Sequence, residues 1–145
     1  MSDASLMRYM AIDLGSKRIG VAITDESGLS VQPLMTLERR RIPREDLRSI
    51  SRLARKYGVT AFVVGLPLHM SGEESPKSTK ARAFAAELST LSGHPVHMWD
   101  ERLTSEEAHQ ILYQAGRKRR EHKVVVDQVA AVLILESFLN AQRRV

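Results

Sequence analysis

Three carboxylates border apolar segments of this chain and have the chemistry to bind a metal ion together. Asp13 ends the first apolar run, Glu101 follows a later one, and Asp127 begins the last. A carboxylate at the tip of a buried strand is costly unless a charged group meets it there. The chain has no cysteine. Three carboxylates therefore favour hard, oxygen-loving cations such as magnesium or manganese.

Two such cations side by side can activate water and stabilise the leaving oxygen in phosphodiester cleavage. Each acid also has a purely structural interpretation. Asp13 could accept hydrogen bonds from the turn Leu14–Lys17. Glu101 could pair with Arg102, and Asp127 could be an acid favoured at a helix N-terminus. The three acids taken together favour the metal site over these separate explanations.

The overall composition is that of a globular protein. The 145 residues fit one domain, 1–145, with residues 1–6 as a flexible N-terminal extension. No apolar run approaches the roughly 20 residues that span a bilayer, and the first residues lack the basic start of a secretory signal. The absence of cysteine agrees with a cytoplasmic protein. We expect no membrane partner.

The positive charge of the chain favours a polyanionic partner such as nucleic acid. The net charge is +5 and the sequence pI is about 9.9. Two clusters carry much of it: Arg39, Arg40, Arg41, Arg44 and Arg48, and then Arg117, Lys118, Arg119, Arg120 and Lys123. Each cluster could contact phosphates or could be a solvated loop. Aromatic residues are sparse, which argues against a base-stacking platform.

The hydrophobic periodicity predicts alternating strands and helices. We expect strands over Arg8–Asp13, Arg18–Thr24, Leu29–Leu37, Ala61–Gly65 and Val96–Trp99. We expect helices over Pro43–Tyr57, Lys77–Leu91 and Ser105–Ala115, and a last helix with the apolar stripe Val126, Val129, Ala130, Leu133, Ile134 and Phe138. Pro33 indicates an edge strand, and Thr104 with Glu107 forms a capping-box pattern. The segment Arg117–Lys123 is predicted to be a basic loop, and Val124–Val126 could be a brief strand.

This order predicts an α/β fold with one five-stranded mixed sheet. A three-stranded antiparallel meander and two parallel strands would form the sheet, with helices on both faces. Functional sites gather at the carboxyl ends of parallel strands in such sheets. Asp13, the segment Gly65-Leu66-Pro67 and the pair Asp100-Glu101 all fall at those ends.

Four motifs closely resemble the YqgF/RuvX family over nearly the whole chain. They are DLGSKRIGVA from Asp13, VVGLPL from Val63, DERLTS from Asp100 and VDQVAAVLIL from Val126. The resemblance implies the RNase H-like fold. Members of this family are described as pre-16S rRNA processing nucleases and Holliday junction resolvases.

The resemblance also implies roles for individual residues. Asp13, Glu101 and Asp127 take the places of the acidic metal-binding triad, which holds Mg²⁺ or Mn²⁺. Lys17, Arg18 and Arg102 match basic positions near the scissile phosphate. The run Arg117–Arg120 and Lys123 are assigned to contact with the nucleic-acid backbone. His69 departs from the family pattern; it could bind substrate or shuttle a proton, or be an ordinary loop histidine.

The sequence therefore predicts a metal-dependent endonuclease that acts on structured RNA or branched DNA. One alternative is a nucleotide-binding ATPase domain related to actin and sugar kinases, because Ile12–Ser16 matches their phosphate loop. Those proteins bind nucleotide between two such domains, and this chain supplies one. Another alternative is a non-catalytic nucleic-acid-binding factor. A homodimer would suit a junction resolvase, which makes two symmetric cuts, whereas rRNA trimming needs no symmetry.

Overall fold

The computed structural model describes residues 7–104 and 119–143. The five strands in this part of the chain are β1 (Tyr9–Leu14), β2 (Arg18–Thr24), β3 (Val31–Glu38), β4 (Ala61–Leu66) and β5 (Val96–Asp100). The helices are α1 (Pro43–Lys56), α2 (Pro76–Ser92) and α3 (Arg119–Arg143), and a short 3₁₀ helix, Glu101–Leu103, follows β5. The predicted helix Ser105–Ala115 and the N-terminal residues 1–6 lie outside the described residues.

The strands form one mixed sheet in the order β3-β2-β1-β4-β5. β1 pairs antiparallel with β2 and parallel with β4, while β2 pairs antiparallel with β3 and β4 parallel with β5. The predicted five-stranded mixed sheet is confirmed. Pro33 lies on the edge strand β3, beside a register shift between Val21 and Ala22. An edge strand tolerates proline because an N–H facing solvent is not needed for pairing.

Helices cover both faces of the sheet, as predicted. Side chains alternate across a strand, and in β1 Met10 and Ile12 pack in the core beneath α1 and α2. Ala11 points to the other face, where it packs with Ala131 and Ile134 of α3. By the same alternation, Asp13 belongs to the face that α3 covers. β1 therefore places Asp13 both at the end of the sheet and on the face that α3 covers.

The start of α3 differs from the sequence-based expectation. Arg119 to Lys123, predicted as part of a loop, are helical, and so is Val124–Val126, the candidate strand. Arginine and lysine are good helix formers, and neither glycine nor proline interrupts this segment. Asp127 thus lies more than two turns inside α3, so its interpretation as an acid at a helix N-terminus is wrong.

Gly20 allows α3 to lie unusually close to β2. A Cβ atom at Gly20 would overlap the backbone carbonyl of Asp127 and would lie 2.9 Å from its Cβ. The neighbouring Gln128 donates a hydrogen bond of 2.9 Å to the Thr36 hydroxyl on β3. The absent side chain therefore lets the helix bring Asp127 directly onto the sheet.

We expect Gly20→Ala to destabilise the protein by about 3 kcal/mol, because the added methyl group forces α3 away from β2. Gly58→Ala is the matched control, since Gly58 has a φ of +69° but no atom within 4 Å of its Cβ position. It should cost only the left-handed backbone strain of about 1 kcal/mol. Denaturant unfolding measures both losses, and equal losses would contradict the close approach of α3.

Candidate active site at the carboxyl end of the sheet

Asp13 and Glu101 meet at the carboxyl end of the sheet and share a side-chain hydrogen bond. Asp13 is the second-last residue of β1, and Glu101 begins the 3₁₀ helix after β5. Gly65 at the end of β4 makes room for the glutamate, since a Cβ there would lie 2.7 Å from Glu101 Oε2. The structure therefore brings together two of the predicted acids.

Burial raises the pKa of the Asp13 carboxyl, and the negative charge of Asp127 raises it further. Burial also raises the pKa of Glu101, with the charge of Asp13 as the next cause. Two carboxyl groups this close do not both ionise readily, because each charge opposes the other. Without a cation, Asp13 and Glu101 favour sharing a proton.

The charge of Asp127 reaches Asp13, but Asp127 is held by a cation of its own. Arg18 Nε lies 3.1 Å from Asp127 Oδ2, and both side chains are largely shielded from solvent. Burial raises the pKa of Asp127, and the hydrogen bond from Arg18 opposes that shift. Within residues 7–104 and 119–143, no three acidic or histidine side chains already converge as a set of metal ligands. Arg18, expected beside a phosphate, serves here as the counter-ion of Asp127.

Arg102 pairs with Asp100 and holds the loop that follows β4. Its Nη2 lies 2.7 Å from Asp100 Oδ2, and its Nη1 donates to the Met70 carbonyl at 3.1 Å. The guanidinium also lies 3.3 Å from the Cβ position of Gly72, whose φ is +93°. The suggested pairing of Arg102 with Glu101 is thus replaced by pairing with Asp100. Arg102 fixes the loop beside the acids.

Lys77 is a site cation that the sequence interpretation missed. It is exposed in the first turn of α2, and its positive charge lowers the pKa of both Asp13 and Glu101. The helix start is fixed by Ser75, whose hydroxyl accepts from Ser78 N at 2.9 Å and donates to the Pro67 carbonyl at 2.6 Å. The sequence signal for Lys77 was its position directly after Ser75 and Pro76, at the start of the helix that follows the loop after β4.

Lys17 is exposed on the turn that joins β1 to β2, four residues after Asp13. Arg39 anchors that turn, because its Nη1 donates to the Gly15 carbonyl at 2.7 Å and its backbone N to the Lys17 carbonyl at 2.9 Å. Arg39 Nε also pairs with the buried Asp46 at 2.9 Å. The sequence left open whether the cluster that contains Arg39 contacts phosphates or forms a solvated loop; Arg39 does neither here, because it is paired with Asp46 and positions the turn.

Two groups of predicted residues remain, His69 and the basic residues predicted over 117–123. His69 is exposed in the loop after β4, and its backbone N–H donates to the Glu73 carbonyl at 2.9 Å. Arg119, Arg120 and Lys123 lie in the first described turns of α3. Arg117 and Lys118 lie outside the described residues. The role of these basic residues therefore stays a prediction.

The pKa shifts predict an unusual dependence of stability on pH in the presence of a chelator. The pKa values of Asp13 and Glu101 are raised on folding, so the folded state binds protons more tightly than the unfolded chain. The contribution to the free energy of unfolding is present at acidic pH. It is lost as the pH rises above the ordinary carboxyl range of about 4.

We expect Asp13→Asn to flatten this loss and to raise the melting temperature of the chelated protein above neutral pH. The exposed Glu26→Gln is the control and should keep the wild-type profile. Thermal unfolding across a pH series measures the effect. Identical slopes for wild type and Asp13→Asn would contradict the buried, proton-sharing pair.

Lys77→Gln should raise the pKa values of Asp13 and Glu101 further, because it removes a positive charge that lowers both. Lys80→Gln, also exposed on α2, removes the same charge without that role. Carbon-13 NMR titration of the carboxyl carbons reports the two values directly. An equal response to both substitutions would assign the effect to net charge alone.

Comparisons of the sequence relate this chain to one family and to relatives that are named as nucleases. The family model described as "RuvX: Holliday junction resolvase" matches residues 7–141. A protein of Pelotomaculum thermopropionicum is 45% identical over 138 residues, covering 95% of this chain and 90% of the relative. A protein of Desulforudis audaxviator is 45% identical over 137 residues, covering 94% and 96%. Both carry the name "Putative pre-16S rRNA nuclease".

Solved structures confirm the predicted RNase H-like fold. Thermus thermophilus RuvC in complex with a Holliday junction superimposes with a TM-score of 0.59 at 14% identity, covering 94% of this chain and 96% of RuvC. The yeast mitochondrial resolvase Ydc2 gives 0.57 at 14% identity, covering 96% and 80%. At these identities the likeness concerns the fold alone. The match to the family model extends over nearly the whole chain, and on that basis this protein belongs to the RuvX family.

Proposed function

We propose that this protein is a metal-dependent endonuclease that hydrolyses phosphodiester bonds in structured RNA, acting at the 5′ end of pre-16S rRNA. The observation that carries the proposal is the Asp13 and Glu101 pair at the carboxyl end of the sheet, where the charge of Asp127 reaches Asp13. The family and the names of the relatives bear out the nuclease class that the sequence predicts.

The residues present suit a hard divalent cation. The chain offers carboxylates at this rim and no thiolate, which is the donor chemistry of Mg²⁺ or Mn²⁺. We assign Asp13, Glu101 and Asp127 as the residues that would hold the metal, and two ions fit the proposed reaction. A bound divalent cation would supply charge neutralisation at the phosphate and lower the pKa of water.

The chain's own residues prepare the site in three ways. Asp13 and Glu101 give up their shared proton to become ligands. Because their pKa values are raised, metal binding should be favoured as the pH rises. Arg18 becomes available to a phosphate once Asp127 has another counter-ion. The exposed Lys17 and Lys77 add positive charge at the rim, where they would attract and orient the negatively charged backbone.

Pre-16S rRNA is favoured as the substrate by the relatives at 45% identity, whose names refer to it. The solved resolvases resemble this chain only in fold, but the description of the family model names a Holliday junction resolvase. A four-way DNA junction is therefore the comparison substrate, and a homodimer stays a prediction tied to it. We assign Arg102 to holding the substrate-side loop, and Arg117, Lys118, Arg119, Arg120 and Lys123 to backbone contact.

We further propose a cytoplasmic location, which agrees with a role in rRNA processing. In the described part of the chain, no helix combines the length and apolar character needed to cross a membrane.

Incubation of purified protein with precursor 16S rRNA and with a four-way DNA junction, each with Mg²⁺ or Mn²⁺, tests the proposal. We expect cleavage of the precursor rRNA that is lost with a chelator. Asp13→Asn, Glu101→Gln and Asp127→Asn should each lower the cleavage rate by at least about a hundredfold, since each removes a metal ligand.

Glu136→Gln is the matched control, because Glu136 is an exposed acid on α3, on the face of the sheet opposite to α1 and α2. It should retain wild-type activity. Wild-type rates in the Asp13→Asn protein would refute the mechanism and indicate a contaminating nuclease. Cleavage of the junction alone would transfer the substrate assignment to branched DNA.

A further inference from the structure

Four arginines form a continuous row on the outer surface of α1. Arg44, Arg48, Arg52 and Arg55 are all exposed, and their spacing of four, four and three residues places them on one side of the helix. With a rise of 1.5 Å per residue, the row is about 16 Å long. We call these four residues the arginine track.

Within the described part of the chain, the arginine track is not ion-paired, although one acid of α2, Glu87, lines the same recess as Arg44. Across residues 7–104 and 119–143, none of its four guanidinium groups forms an ion pair. The acids at the start of α1 are already engaged: Asp46 by Arg39 at 2.9 Å and Glu45 by Arg40 at 3.7 Å. Of the basic cluster seen in the sequence, Arg39 is thus engaged by a buried acid and Arg40 by an exposed one, whereas Arg44 and Arg48 belong to the outward row, unpaired among the described residues.

The track begins at the rim that carries the acids. β3 is antiparallel to β2, which is antiparallel to β1, so β3 and β1 end at the same rim. The chain leaves β3 there, where Arg39 bonds to the Lys17 carbonyl, and α1 follows. Arg44 in the first turn therefore lies near this rim. Arg55 lies towards the opposite rim, because α1 leads back to the start of β4.

The track lies on the face of the sheet opposite to α3. The core beneath α1 and α2 is separate from the core beneath α3. Shallow recesses between α1 and α2 run beside the track, and the half-exposed Leu91 lines them together with Arg44 and with Arg48, Arg52 and Arg55. A chain that contacts both the acids and the track must therefore turn over the rim, past Lys17.

We propose that the arginine track binds the phosphate backbone of the RNA that flanks the cleaved bond. Arginine presents a planar fork of donors that matches phosphate geometry. The track starts near the rim that carries the acids, and a folded RNA can bend over that rim where a straight duplex cannot. The RNA assignment rests on the proposed function, whereas the phosphate-binding surface rests on the row itself.

Binding of a 5′-labelled precursor 16S rRNA leader fragment, followed by fluorescence anisotropy at several salt concentrations, tests the track. Every protein carries Asp13→Asn, so that cleavage does not intervene. We compare Arg48→Gln/Arg52→Gln with Lys80→Gln/Arg143→Gln, which removes two exposed cations elsewhere that form no ion pair in the described part of the chain. The track variant should bind about tenfold more weakly and lower the slope of log K against log salt by roughly 1.5.

Equal weakening by both double variants, or no weakening by the track variant, would overturn the proposal. Weakening confined to a DNA duplex of the same sequence would overturn the RNA assignment. If the double variant melts below the Asp13→Asn protein, the single Arg52→Gln and Arg143→Gln substitutions give the same comparison. Because binding is measured without cleavage, a protein that fails to cut the precursor would refute the proposed function and leave this result standing.

Discussion

Asp13, Glu101 and Asp127 place negative charge at a rim that is only partly open to water, and the free energy of that arrangement is unfavourable without cations. Burial removes hydration from the carboxyl groups, and their mutual repulsion adds to the cost. Sites that bind divalent cations commonly carry such a cost in their ligand-free state, since stability is exchanged for function.

The surrounding structure brings the acids close and limits this cost. Two glycines remove the side chains that would keep them apart: Gly20 beneath Asp127, and Gly65 beneath Glu101. Fixed cations then offset part of the charge, with Arg18 in direct contact with Asp127. Other arginines act at a distance from the carboxylates, because they anchor the turn and the loop that frame the site. Backbone packing and electrostatics therefore position the same small set of groups.

The sheet and most of the acid arrangement could be predicted from sequence because they follow from local patterns. Alternation along β1 fixes the face of Asp13, and Pro33 marks the edge strand. The partners of the arginines could not be predicted, because they depend on distant contacts. Arg39 resembles its neighbours in a basic run, yet only the approach of α1 directs it to Asp46. Lys77 was missed because its distance from the acids depends on where α2 begins relative to the rim.

The pairing of Asp13 with Gly20 across β1 and β2 has a consequence for how the chain can change in length. Side chains alternate with a period of two, so deletion of one residue from β1 would turn the acid towards α1 and α2. Because Gly20 pairs with Asp13, it would turn with it, and the space that Gly20 leaves for α3 would be lost. Substitutions preserve this register, whereas a single-residue insertion or deletion preserves it only where a bulge absorbs the change, as at the register shift between β2 and β3. Differences in length among relatives should therefore fall in the loops or at such bulges.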